Sequence, residues 1–186
     1  MERENIVVPE CYADTNLMNV LTGKRCNHQK GCATVCKTLD EKLKDQFAVA
    51  VIDNDKRQPK ATEKYVEIGH TESLIVCKHK NRPHYLILIN PAIESFVLQA
   101  AMELGVVMQE YHLPDNVEDL KKITKSQSAK ESEQLARLFK DLREAANVKC
   151  LNGVLSYLLD KKYSATDGEI RELLGGYWKV IETDDK

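Results

Sequence analysis

Apolar residues in the first half of the chain fall into short unbroken runs separated by stripes of helical period. Ile6-Val7-Val8, ending at Pro9-Glu10, reads as a buried strand. A helix follows, with Leu17, Val20 and Leu21 on one face, Asp14 placed to favour its N-terminus and Gly23 to end it. Residues 24–30 are polar and loop-like, with room for a short edge strand. Gly31 to Lys44 reads as a second helix carrying Val35, Leu39 and Leu43. Phe47 to Ile52 is the clearest strand, apolar on both faces as in the middle of a parallel sheet. Pro59 and its charged neighbours make 53–64 a loop. Val66–Ile68 and Leu74–Cys77 are weaker strands that suit a hairpin, and Tyr85–Ile89 is another buried strand. Asn90-Pro91 then offers an N-cap and a first helical residue for a stripe of Ile93, Phe96, Val97, Ala100 and Leu104.

The second half reads as helical. Ser128 and Glu131 have capping-box spacing ahead of Leu135, Leu138, Phe139 and Leu142. Val148, Leu151, Leu155 and Leu158 mark the next helix. Thr166 and Glu169 repeat the capping spacing before Ile170, Leu173 and Leu174, and Gly175-Gly176 is the expected stop. Strands alternating with helices imply an α/β fold, a three-layer sandwich with a mostly parallel central sheet, followed by C-terminal helices. The polar stretch 113–130 divides an α/β domain over 1–112 from a helical extension or cap over 113–186.

Composition narrows the class. The 186 residues are 42% hydrophobic and 30% charged, a globular balance for one domain with or without an appendage. No apolar run reaches the roughly 20 residues of a membrane span, and Met1-Glu2-Arg3-Glu4 is too polar for a secretory leader. We therefore expect a cytoplasmic protein with no membrane partner. Six cysteines in a chain of this length read better as thiols in a reducing compartment than as staples. The formal charge of −2 excludes a general nucleic-acid coat, but it is unevenly spread. Residues 1–90 hold 14 Lys/Arg against 12 Asp/Glu, and residues 91–186 hold 13 against 17.

The basic excess shares its half with a set of carboxylates. Ligands of open α/β sheets bind beyond the carboxyl ends of the strands. The first strand delivers Glu10 there, the strong central strand Asp53-Asn54-Asp55, and the strand at 85–89 delivers Asn90 and, a turn later, Glu94. Acidic groups converging on one edge repel unless neutralised, and a hard divalent cation with oxygen ligands neutralises them. Asp-Asn-Asp is equally an ordinary turn sequence, and Glu10 an ordinary loop residue. Lys56, Arg57, Lys60 and Lys64 after the acidic pair, with Lys78, Lys80, Arg82 and His84 further on and Lys24, Arg25 and Lys30 before it, suit a phosphate-binding rim; a solvated lysine-rich loop reads the same. Cys26, His28, Cys32 and Cys36 have the residue types of a zinc site, but there is no C-x2-C knuckle, and core positions for the cysteines with an exposed loop position for His28 are the better reading.

Glu10 after the first strand, D-x-D after a later apolar strand, Glu10-Cys11-Tyr12-Ala13-Asp14 and Asn90-Pro91-Ala92-Ile93-Glu94-Ser95-Phe96 together resemble the Toprim fold in its small OLD-like and RloB-like branch. The resemblance spans residues 5–105, and Cys11 stands where that family often has Gly. It implies a Mg²⁺-dependent (or Mn²⁺-dependent) nuclease acting on the phosphodiesters of DNA or RNA, in bacterial defence. Glu10 would manage protons as the catalytic residue. Asp53 and Asp55 would hold metal, with Asp14 and Glu94 in support, and Lys56, Arg57, Lys60 and Lys30 would bind phosphate. The alternative is a non-catalytic Toprim-like module that binds metal, nucleotide or a partner. A homo-oligomer or a protein partner would dock through the C-terminal helices.

Overall fold

The structure, a computed structural model, describes residues 1–54 and 59–178. Its first half contains β1 (Arg3–Glu4), β2 (Val7–Pro9), α1 (Tyr12–Thr22), β3 (Arg25–Cys26), α2 (Cys32–Lys37), β4 (Ala48–Asp53), β5 (Tyr65–His70), β6 (Leu74–His79), β7 (His84–Ile89) and α3 (Ile93–Glu103). Then come α4 (Val117–Thr124), α5 (Glu133–Asp141), α6 (Ala146–Lys161) and α7 (Asp167–Trp178). Among the described residues no helix is long and apolar enough to cross a membrane.

The protein is α/β, with a five-stranded sheet in the order β2-β4-β7-β6-β5 and a separate two-stranded parallel ribbon of β1 and β3. β2, β4 and β7 are parallel, whereas β6 runs antiparallel to both β7 and β5. The sheet is therefore mixed rather than mostly parallel. The connections explain this: β6 and β7 are joined by a short turn, and β5 and β6 by a tight one closed by the Thr71 N–H on the Leu74 carbonyl at 2.8 Å. Only a crossover can bring a chain back parallel, and β2→β4 and β4→β7 are the pairs with enough chain between them.

Alternation along β4 builds two cores. Val49 and Val51 join a large cluster with Leu17, Ile87, Phe96 and Leu138. Ala48, Ala50 and Ile52 face Val35, Leu39 and Leu43 in a smaller one on the opposite face. The stripe of α2 continues into a wider-pitched turn, Thr38–Lys42, closed by the Leu43 N–H on the Thr38 carbonyl at 3.0 Å. Gly23 ends α1 with φ 67°, a left-handed conformation that costs glycine least.

The helical half covers the larger core. α5 packs on α1, α6 on α3, and α7 on β5. Buried polar contacts register these pairs. The Asn16 amide on α1 donates to the carbonyls of Ala129 (2.8 Å) and Ser132 (3.0 Å), and Asn147 on α6 donates to the Phe96 carbonyl at 2.9 Å. Arg171 of α7 donates to the Ile68 carbonyl at 2.9 Å, so the edge strand β5 is capped by a side chain.

Three helix boundaries differ from the expected ones. α3 starts at Ile93 with Ala92 as N-cap; Asn90 instead bonds Glu72 and Asn54, and the Asn90-Pro91 peptide is cis. Ser128 and Glu131 lie in a short 3₁₀ turn, Gln127–Glu131, and α5 is capped by Ser132, whose hydroxyl accepts from Leu135 N–H at 3.3 Å. α7 runs through Gly175-Gly176 to Trp178, because its packing on β5 outweighs glycine's poor helix propensity.

Candidate functional site

The register fixes where the acidic residues meet. Pro9 pairs with Val51 and Asp53 with Ile89, so β2, β4 and β7 finish at one edge. Glu10 leaves β2 at that edge, and its Oε2 accepts the Asp53 N–H at 3.2 Å. Asp53 shares the parity of Val49 and Val51, which puts its side chain on the face covered by α1 and α3. There its Oδ1 accepts the Ile93 N–H at 3.0 Å, capping α3 in place of a local residue. Glu94 follows in the first turn of α3 and accepts a hydrogen bond from the Thr124 hydroxyl of α4. Asp14, in the first turn of α1, accepts the Cys11 N–H on Oδ2 at 3.1 Å. Its other oxygen, Oδ1, is buried with no hydrogen-bond partner among the described residues.

Four of the sequence-derived acids are thus gathered and nearly sealed from solvent: Asp14 is 0% exposed, Glu94 2%, Glu10 6% and Asp53 7%. Burial raises the pKa of Asp14 to about 7, and the charges of Glu10 and Glu94 push the same way. Burial raises that of Asp53 to about 8, with further pushes from Asp14, Glu94 and Glu10, although the α3 N-terminus pulls it down. Asp14 and Asp53 sit in a low-dielectric medium among other negative charges, and these two keep protons that isolated aspartates lose well below neutral pH.

Carboxylate oxygens are the donors that Mg²⁺ and Mn²⁺ take, and the orphaned Asp14 Oδ1 is a donor without a partner. Glu10 and Glu94 are close enough for their charges to raise the pKa of both Asp14 and Asp53. Even so, among the described residues no three His, Cys, Asp or Glu side chains are drawn tightly enough together to hold an ion. Asp55, Lys56 and Arg57 lie outside the described residues. Lys60 opens an exposed 3₁₀ turn, Lys60–Lys64. Lys30 is exposed on a loop running beside β2, tied by Gln29 N–H to the Pro9 carbonyl (3.0 Å) and Gly31 N–H to the Glu10 carbonyl (3.2 Å). Much of the wider basic rim is committed elsewhere. Lys24 pairs with Glu4 at 3.2 Å, Lys64 and Arg82 with Asp40 at 2.9 and 2.7 Å, and Lys78 with Asp167 at 3.1 Å.

Comparison with family models, curated proteins and solved structures finds no match for this chain.

Cys11 has a structural reason to stand at the site. It is the N-cap of α1: its Sγ accepts the Asp14 N–H at 3.2 Å while Asp14 returns the bond to Cys11 N–H. The spacing C-x-x-D is that of a capping box, and this signal was available in the sequence. Burial and the neighbouring Asp14 push the Cys11 thiol well above its ordinary pKa, so it is a poor nucleophile. Cys11→Ser keeps an acceptor at the cap and should melt within about 2 °C of the parent. Cys11→Ala removes it and should cost about 1 kcal/mol, or about 2–4 °C, in a thermal melt.

The cysteine–histidine set does not assemble. Cys26 is buried on β3 with its Sγ 3.6 Å from the Thr22 hydroxyl, while Cys32 and Cys36 sit a turn apart on α2. His28 lies instead at the start of α1, stacked on Tyr12 with centroids 4.6 Å apart and its Nδ1 2.8 Å from the Thr15 hydroxyl. Thr124 is the site residue that sequence reading missed. It comes from α4, thirty positions beyond Glu94, and no local pattern links the two.

Proposed function

We propose that this chain is a Mg²⁺-dependent phosphodiester-processing protein with a Toprim-like three-layer core, acting as a nuclease on DNA or RNA. The observation that carries the reading is the meeting of Glu10, Asp14, Asp53 and Glu94 at the carboxyl ends of parallel strands, with Asp14 Oδ1 unpartnered. Excess buried negative charge at a ligand-binding edge destabilises the fold and calls for a cation. Bound there, Mg²⁺ would supply charge neutralisation and polarise a phosphoryl oxygen. Asp53, together with Asp55 two positions on, would hold it, and Asp14 and Glu94, the latter bonded to the Thr124 hydroxyl, would support them from behind. Glu10, fixed against the β4 backbone, would take and return protons. Lys30 and Lys60 are exposed and suited to phosphate contact.

One observation favours a second reading, a non-catalytic module that binds metal or nucleotide. Each of the four acids also has a structural bond, and Asp14 and Asp53 serve as helix caps. A single experiment separates the two. Purified protein with Mg²⁺ or Mn²⁺ is incubated with labelled single- and double-stranded DNA and RNA, and metal binding is followed by calorimetry. The nuclease reading expects cleavage that EDTA abolishes and that Asp53→Asn and Glu10→Gln reduce at least about a hundredfold, the scale of losing a positioned acid–base group. Metal binding without cleavage of any substrate supports the module, and absence of both refutes the two readings together.

A further inference from the structure

A second cleft lies on the far side of α1, about 600 Å³ in volume, between that helix, β3, the 127–131 turn and α5. Its lining includes four cations, Arg25, Lys130, Lys140 and Arg143, against two carboxylates, Glu131 and Glu133. In a chain of formal charge −2 this is a local reversal of sign. The cations are not equally committed. Arg25 pairs with Glu131 at 3.0 Å with both side chains largely exposed, and Arg143 donates to the Val20 carbonyl. For Lys130 and Lys140, no ion pair forms among the described residues. The walls are held in place from behind by the buried Asn16 amide, which bonds the carbonyls on either side of the Lys130-Glu131 turn. The larger cavity, about 690 Å³ beside α6 and α7, offers no such cationic surplus: among its described lining residues four acids, Glu103, Glu144, Glu169 and Glu172, face Lys149 alone, and the first three are already bonded to Ala146 N–H, Lys149 and Tyr157.

We propose that this cleft binds the phosphate backbone of a nucleic-acid strand and leads it toward the carboxylate edge. Three features select that ligand. Unpaired ammonium groups on long flexible stems match phosphates as point charges. Among its described lining residues there is no aromatic ring, so nothing there stacks on a base, and recognition is through the backbone alone. The cleft also shares α1 with the acidic site: Asn16, Asn19 and Val20 line the cleft, and Asp14 stands in the first turn of the same helix.

The inference rests on the proposed phosphodiester chemistry, so its test is made without metal, where no cleavage occurs. Binding of a fluorescent single-stranded 12-mer in EDTA is followed by anisotropy over a range of salt concentrations. Variants are Lys130→Gln/Lys140→Gln, the reversed Lys130→Glu/Lys140→Glu, and a control pair of exposed lysines on another face, Lys42→Gln/Lys44→Gln. Circular dichroism melts establish that each is folded. The cleft requires that the first pair weaken binding roughly tenfold and lower the slope of log K on log salt by about 1.4, two phosphates at about 0.7 each. The reversed pair must weaken it further, and the control must bind as the parent does. Equal effects in cleft and control variants, or no binding of the 12-mer by the parent, overturn the proposal. Tighter binding of inorganic triphosphate than of the 12-mer overturns it in favour of a free polyphosphate. Cleavage by the parent with Mg²⁺ is scored separately: a parent that binds the 12-mer in EDTA through Lys130 and Lys140 but cuts nothing with metal sinks the nuclease reading alone, and one that cuts while the cleft variants bind as the parent does sinks the cleft alone.

Discussion

Asp14→Asn should melt roughly 5–10 °C higher than the parent at pH 8 and within about 2 °C of it at pH 4. Asp14 is fully buried, with one oxygen capping α1 and the other unpartnered among Glu10, Asp53 and Glu94. Its pKa lies near 7 in the folded chain against 3.8 for an ordinary aspartate. The sign follows from proton counting. Between about pH 4 and pH 7 the unfolded chain has released this proton and the folded chain keeps it, so folding stability falls as pH rises through that window. Above it the penalty is complete, on the order of a few kcal/mol. An asparagine keeps the carbonyl that caps Cys11 N–H and puts an amide donor where the bare oxygen stood, so it removes the repulsion without removing the cap. Below about pH 4 both side chains are neutral and the advantage disappears. Scanning calorimetry of the two proteins at pH 4, 6 and 8 measures it. Added Mg²⁺ should raise the parent's melting temperature at pH 8 and narrow the gap, as expected if the proposed cation offsets the same repulsion. Equal melting at pH 8 would mean that the acids are not under strain and would remove the main support for a cation there. A gain in stability on neutralising a polar site is the usual mark of a group kept for function.

The acids were legible because they sit at strand ends. An apolar run of six, Phe47 to Ile52, announces a strand buried on both faces, and whatever follows it emerges at an edge. Glu10 and Asp53 follow from that logic alone, and Glu94 and Asp14 from first-turn positions of the helices that come next. What the sequence could not carry was the bonding between them. Asp53 caps a helix forty residues away, which is why Asn90, a good cap by composition, is not used as one. Strand direction was legible for the β5–β6 hairpin, which is antiparallel, but not for β7: β6 runs antiparallel to it because their connection is short, and run length alone does not report that. Half of the described lysines that look like a rim on paper, Lys24, Lys64 and Lys78, are bound by acids from other segments, Glu4, Asp40 and Asp167. The cations that do form a cleft come from β3, a 3₁₀ turn, α5 and the segment after it, and they are scattered over nearly 120 positions.

The division at residue 113 is a matter of composition, and a core substitution tests whether it is a division of folding. Phe139→Ala, in α5, should cost about 3–5 kcal/mol and lower the melting temperature by roughly 8–15 °C in one cooperative transition. Phe139 is 1% exposed and belongs to the same buried cluster as Val49 and Val51 of the central strand. α5 packs on α1, and α1 brings Asp14 to the acidic edge. Removing the ring therefore leaves a cavity on the outer side of the helix that presents a site residue on its inner side. Hydrogen exchange locates the loss. If the cluster is one folding unit, amides of β4 in the first half lose protection by the same free energy as amides of α6 in the second. If the halves fold separately, α6 weakens and β4 does not. The first outcome carries a consequence for mechanism. The carboxylates are then held in place by helices that contribute no acid to the site, and the free energy that keeps four repelling groups together comes from apolar contacts far from the edge where they meet.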